Sequence, residues 1–187
     1  MCNVYEKIYT ELPDFDQREI LRYAGVKGEA DDKTLDLLDE CLQESRTAFF
    51  YRVCYCEFSK SALFAQISTA GNSAALARFL DGAEQALVFA ATVGLGIDRL
   101  INRYAVVSPV KALFFQAIGA ERIEVLCERF CKELGLKKRF SPGYGDFALT
   151  AQREIFSMLG CEKRIGLSLT DSLLMSPTKS VTAIAVR

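Results

Sequence analysis

The run "ALVFAAT", Ala86 to Thr92, constrains this chain most, because it is apolar at nearly every position. A strand with one wet face alternates apolar and polar residues, so an unbroken run of this kind reads as a strand buried on both faces. "FFYRVCYCEF" (Phe49 to Phe58) and "LFAQIST" (Leu63 to Thr69) are rich in aromatic and β-branched residues and also read as strands. A short strand is expected around Val4 to Thr10, and a closing one from Val181 after a turn at Ser176 to Lys179.

Elsewhere the apolar spacing is that of helices. Pro13-Asp14 opens one near Phe15 to Ala24, which Gly25 and Gly28 break. Leu35, Leu38, Cys41 and Leu42 define another from Asp31 or Asp32 to about Thr47, with acidic residues at its positive end. Ser73 can cap a helix through about Leu80, and a further one begins near Gly94. Ser108-Pro109 starts a long helix, with serine as cap and proline in the first turn. It turns Ala112, Phe115, Ile118, Ile123, Leu126, Phe130 and Leu134 inward and ends at Gly135. The last spans roughly Leu149 to Leu159 and stops at Gly160. Strand, helix and strand in this order suggest a mixed α/β core.

At 187 residues, half of them apolar, the chain can bury a substantial core. It reads as one domain over 1–187, or as an N-terminal lobe 1–70 and a motif-bearing part 71–187. A net charge of -1 and the lack of a long basic run disfavour nucleic acid and anionic membranes as partners. "MCNVYEKIYTELPDF" has neither the charged start nor the apolar run of a leader, so a soluble, cytoplasmic protein is expected. There is no histidine. Ser-His-Asp and Cys-His catalysis, histidine-ligated metals and a corrinoid carrier that lends an imidazole to cobalt are therefore excluded within this chain.

The seven cysteines (Cys2, Cys41, Cys54, Cys56, Cys127, Cys131 and Cys161) are scattered and odd in number, which reads as reduced thiols rather than a disulfide framework. Cys54 and Cys56 would share a strand face, and Cys127 and Cys131 a helix face. Four thiolates can hold zinc, but no C-x-x-C pair is present, so packing thiols are the favoured reading and a thiol-based metal or redox protein the weaker one.

Three places carry candidate chemistry. Gly94-Leu95-Gly96 joins a buried strand to a helix, where N–H groups can meet a phosphate, but the third glycine of a dinucleotide fingerprint is replaced by Arg99. A tight turn is the favoured reading, with Asp98 as a partner of the helix dipole. Glu121, Glu124 and Glu128 lie along one edge of the long helix, and their alternation with Arg122 and Arg129 reads as a solvated, charge-paired face. In "RFSPGYGDFALTAQREIF" Pro142, Gly143 and Gly145 let the backbone approach a ligand, Arg139 offers a fork for a carboxylate, and Tyr144 a ring and a hydroxyl. On chemistry alone an ordinary turn and a small-molecule cradle stand level there.

Arg139-x-x-Pro142-Gly143-Tyr144, then "LGCEKRIGLSLT", then "DSLLMSPTKSVTAI", in this order and spacing, resemble the activation domain of cobalamin (vitamin B12)-dependent methionine synthase, in its stand-alone short form. The resemblance is firm over Arg139 to Ala183 and looser over Leu76 to Leu134. It implies binding of S-adenosylmethionine, whose methyl group, with an electron from a flavodoxin-type donor, returns oxidised cobalamin to its methylated form in methionine biosynthesis. It also implies Arg139 for the ligand carboxylate, Ser141, Gly143 and Tyr144 on the adenosine side, and Glu124 from the preceding helix. The acidic contact that large family members draw from the start of the domain has no counterpart, and Asp98 is the candidate for its place. Those members also continue past the closing strand to tyrosines that complete the site, whereas this chain stops at Arg187.

The corrinoid, folate and homocysteine modules cannot be housed here, so a methyltransferase component acting on a separate corrinoid protein is implied. The alternative is a non-catalytic subunit that docks on such a protein without binding S-adenosylmethionine. Both the strand signals and the resemblance imply an α+β fold, a twisted and largely antiparallel sheet packed with long helices.

Overall fold

The computed structural model describes residues 3–187, so the cysteine at position 2 lies outside the described residues. In chain order the strands are β1 (Tyr5–Tyr9), β2 (Tyr51–Ser59), β3 (Gln85–Thr92), β4 (Lys138–Phe140), β5 (Ser168–Leu169), β6 (Met175–Ser176) and β7 (Ser180–Val186). Five of them form one sheet in the order β1-β2-β3-β7-β4, antiparallel throughout, while β5 and β6 make a separate hairpin. The helices are α1 (Gln17–Tyr23), α2 (Asp32–Ser45), α3 (Lys60–Gln66), α4 (Ala74–Phe79), α5 (Gly96–Val107), α6 (Pro109–Glu133), α7 (Ala151–Leu159) and α8 (Cys161–Ile165). The α+β, largely antiparallel architecture expected from sequence is the one observed.

β3 is the middle strand, and every residue from Ala86 to Thr92 is buried. Its odd and even positions feed two separate cores. Leu87, Phe89 and Ala91 face α1, α2, α5 and α6, whereas Ala86, Val88 and Ala90 face α3, α4, α7 and α8. Phe130 of α6 anchors the first core, with its ring 5.0 Å from that of Phe89 and 5.2 Å from that of Tyr55. Burying one such ring contributes about 1.5–3 kcal/mol. At the end of α6, Glu133 receives Lys7, Tyr9 and Arg129, which ties the helix to edge strand β1. None of the described helices is long and apolar enough to cross a membrane.

Several expectations need correction. "LFAQIST" is helix α3 followed by a 3-10 turn, Ser68–Asn72, not a strand. Ser59 caps it by accepting from Ala62 N, and Leu63 and Ile67, four apart, are both fully buried, which is helical spacing. α1 is capped by Asp16, three residues later than Pro13, and Ser108 makes no side-chain cap bond although Pro109 does begin α6.

The face expected to be solvated is not uniformly so. Glu121 and Arg122 are each only 2% exposed. They pair with one another, while Arg122 also donates to the carbonyls of Pro13 and Asp14 and Glu121 accepts from Asp16 N. A buried ion pair is tolerated when its remaining hydrogen-bonding capacity is used in this way. Arg122 further stacks on Phe15, 4.2 Å from the ring centre, so the pair fastens the N-terminal segment to α6.

Among the cysteines, Cys41, Cys54, Cys127, Cys131 and Cys161 are free, but Cys56 is disulfide-bonded, so the expectation of uniformly reduced thiols fails there. Cys54 and Cys56 lie in one core and Cys127 in the other, on opposite faces of the sheet. The four thiols weighed for zinc therefore do not converge, and among the described residues no group of three or more ligating side chains does.

Candidate functional site

Arg139 sits on β4 opposite Ala185 of β7, at the edge of the sheet beside α6. Three α6 side chains, spaced about a turn apart, meet its guanidinium. Glu124 forms an ion pair with it, and the thiols of Cys127 and Cys131 lie near enough to feel its charge. Burial works against the charge of Arg139, but Cys127 and Glu124 outweigh it and hold the pKa above the ordinary arginine value. Burial in turn pushes the Cys127 thiol up to about 12, so it stays protonated and Glu124 is the anion of the cradle. Nη1 of Arg139 is buried and has no hydrogen-bond partner. A buried donor left unpaired costs about 1–3 kcal/mol, so it marks a place where an acceptor is missing.

The loop after β4 is built by its own backbone. Tyr144 N donates to Ser141 O at 3.2 Å, Phe147 N to Tyr144 O at 3.0 Å, and Gly143 N to Phe147 O at 2.7 Å. This winding needs φ of +92° at Gly143 and +57° at Gly145, a region that side chains with a Cβ resist. Asp146 then fixes the loop to the start of α4. Its carboxylate accepts from Ala74 N at 2.9 Å, from Ala75 N at 3.0 Å and from the Ser73 hydroxyl. The Ser73 hydroxyl first, and then Ala75 N, hold the Asp146 carboxyl below its usual pKa. Phe147 plugs the loop into the second core and stacks with Phe140, which stacks in turn on Phe79.

Together these elements enclose a cavity of about 250 Å³ lined by Glu124, Arg139, Phe140, Ser141, Tyr144 and Val181. Of the residues singled out in the sequence, Glu124, Arg139, Ser141 and Tyr144 meet here. Gly143 shapes the loop without lining the cavity. Asp98 stands apart and accepts from the backbone N–H (2.8 Å) and the hydroxyl of Thr178, joining the first turn of α5 to the segment before β7. Asp146, Cys127 and Cys131 were not singled out for this site. Asp146 was discoverable as an acid in a loop that can reach a serine-capped helix start, but nothing local signals that the two thiols sit under Arg139.

The cavity is lined by a carboxylate, a guanidinium and two aromatic rings beside a glycine-shaped loop. That donor set fits a zwitterionic amino-acid head with an aromatic body.

Residues 125–187 match the family model described as the vitamin B12-dependent methionine synthase activation domain. No curated protein matches the chain, whereas thirteen solved chains do. One of these is the crystal structure of the MetH reactivation domain bound to AdoHcy, 16% identical, with a TM-score of 0.65, over 98% of this chain and 78% of that one. The resemblance read from Arg139 onward is thus shown: the C-terminal third, with the arginine, its loop and the closing strand, matches the activation domain of vitamin B12-dependent methionine synthase, on the fold of the MetH reactivation domain.

Proposed function

We propose that residues 1–187 act as one unit that binds S-adenosylmethionine in the Arg139 cavity and supports reductive methylation of a corrinoid held by a separate methionine synthase or methyltransferase. A flavodoxin-type protein would supply the electron. The observation that carries this reading is the Arg139–Glu124 pair, whose Nη1 is buried without a partner, among the residues that line a cavity with Phe140, Ser141 and Tyr144.

When bound, S-adenosylmethionine supplies an electrophilic methyl group on sulfonium sulfur. The protein's part is to place it. Arg139 takes the ligand carboxylate through Nη1, and Glu124 turns toward the ligand ammonium, so that one ion pair is exchanged for two charge-assisted contacts. The rings of Phe140 and Tyr144 and the backbone from Ser141 to Tyr144 hold the adenosine. No proton has to be moved, and catalysis consists of orientation and exclusion of water, within the means of a chain without histidine.

Isothermal titration with S-adenosylmethionine and S-adenosylhomocysteine tests this. Arg139→Ala should weaken both by about thirtyfold or more, the cost of leaving a carboxylate without its partner. Absence of binding, alone and with a corrinoid protein, sinks the reading. The ion pair already closed between Arg139 and Glu124 fits a second reading, a docking subunit without ligand. In that case Arg139→Ala would alter folding stability, and association with a corrinoid protein would be indifferent to S-adenosylmethionine.

A further inference from the structure

On the sheet face that carries α3, α4, α7 and α8, the edge near Ile8 and Phe50 stays exposed. Ile8 of β1 lies directly opposite Arg52 of β2, and Arg52 stacks its guanidinium 4.4 Å above the ring of Phe50. A Cβ on Gly94 would lie 2.9 Å from that of Phe50, and the exposed Leu95 follows that point of contact in the chain. Ile8, Phe50 and Leu95 are 61%, 55% and 47% exposed.

The Arg52 side chain makes no hydrogen bond or ion pair with any described residue, and its Nε is buried without a partner. The nearest acid on its face of β1, Glu6, is engaged at 2.7 Å by Arg164 of α8. The guanidinium is thus a half-buried cation with no anion, flanked by the large apolar side chains of Ile8 and Phe50 on one side and by the buried Thr92 of β3 on the other. An arginine with aromatic and aliphatic neighbours is the composition of an interface anchor.

We propose that Ile8, Phe50, Arg52 and Leu95 form a docking surface for a protein partner that sets a carboxylate on Arg52 inside an apolar rim. A second copy meeting the same patch about a two-fold axis would bring two like charges together, which disfavours an isologous dimer here, and the occupant proposed is a different protein. Nucleic acid needs several phosphate contacts, and the patch offers one cation. The surface lies on the face of the sheet opposite the α6 side on which Glu124 and Arg139 meet, and the inference rests on the reading above only for its choice of probes.

Titration of the full chain with a corrinoid-carrying methionine synthase module and, separately, with a flavodoxin-type protein tests it. With one of them Arg52→Glu should raise the Kd by about thirtyfold, and the Ile8→Ser/Leu95→Ser double variant by about fivefold. S-adenosylhomocysteine affinity and the melting temperature should stay as in the wild type for the double variant, whose positions are exposed. Equal affinity of wild type and variants for both probes, or no association of the wild type with either, overturns the proposal. So does self-association in sedimentation that Arg52→Glu abolishes, because it assigns the patch to a second copy. Loss of S-adenosylhomocysteine binding by the wild type, with Arg52-dependent docking intact, would instead remove the ligand reading alone.

Discussion

Two glycine pairs, Gly94-Leu95-Gly96 and Gly143-Tyr144-Gly145, each follow a strand and precede a helix, yet they serve opposite ends. At the first, the protein's own chain fills the space a side chain would need: a Cβ on Gly96 would lie 2.1 Å from the carbonyl oxygen of Ala48. The turn is packed against Ala48 and Phe50 of the protein's own chain. At the second, a Cβ on Gly143 would meet only Leu149, at 3.4 Å, and the loop faces a cavity. In both, glycine permits a close approach to the backbone. Whether the space beside the turn is filled by the chain depends on elements far away in sequence, and even in the second pair a Cβ on Gly145 would lie 3.0 Å from that of Ala75.

Substitutions can break this contrast. Gly96→Ala should have the largest effect, costing about 4 kcal/mol or more in urea unfolding, because the clash is with backbone that cannot swing aside. If it folds as stably as the wild type, the closed-turn account is wrong. Gly143→Ala should cost only about 1–2 kcal/mol, the price of a positive φ with ordinary contacts, but should weaken S-adenosylhomocysteine binding more than Gly96 variants that still fold. Asp146→Ala should free the loop from α4 and speed hydrogen exchange at Ala74 N and Ala75 N, while β3 amides keep their protection.

The smallest effect is expected away from both turns, at Glu133. Its carboxyl is held at about 2 by Lys7 and then by Arg129 and Tyr9. The folded form thus binds fewer protons than the unfolded one, whose glutamate titrates near about 4.3. The stabilisation is complete above that value and fades as the pH falls toward 2. Glu133→Gln should flatten this part of the acid unfolding curve and leave stability at pH 7 only slightly reduced, since the pair is solvent-exposed.

Long periodic signals translated directly into structure. β3 is buried on both faces as its composition implied, and α6 carries Ala112, Phe115, Ile118, Ile123, Leu126 and Phe130 inward as their spacing implied. "LFAQIST" failed because a short apolar run suits strand and helix alike, and the decision came from the Ser59 cap and the core that receives Leu63 and Ile67. Glu121 and Arg122 looked solvated because nothing nearby announces that the Pro13–Asp16 segment will fold over them. At the site, residue types alone leave a turn and a cradle level, the resemblance implies Arg139, its loop and Glu124 in one pocket, and the ion pair between Arg139 and Glu124 comes from the fold. The Cys127 and Cys131 cradle and the Asp146 anchor were not, since each depends on elements that meet only in the folded chain.

The sequence by itself determined the periodicities, the glycine-permitted turns, the arginine-led loop and the absence of histidine, all properties of neighbouring residues or of composition. Tertiary structure alone decided which glycine turn is closed, which thiols face which core, and which arginine nitrogens lack partners. Those outcomes depend on long-range antiparallel register and helix packing, which bring together groups as distant as Ser73 and Asp146 or Ile8 and Arg52. No local preference encodes such pairings.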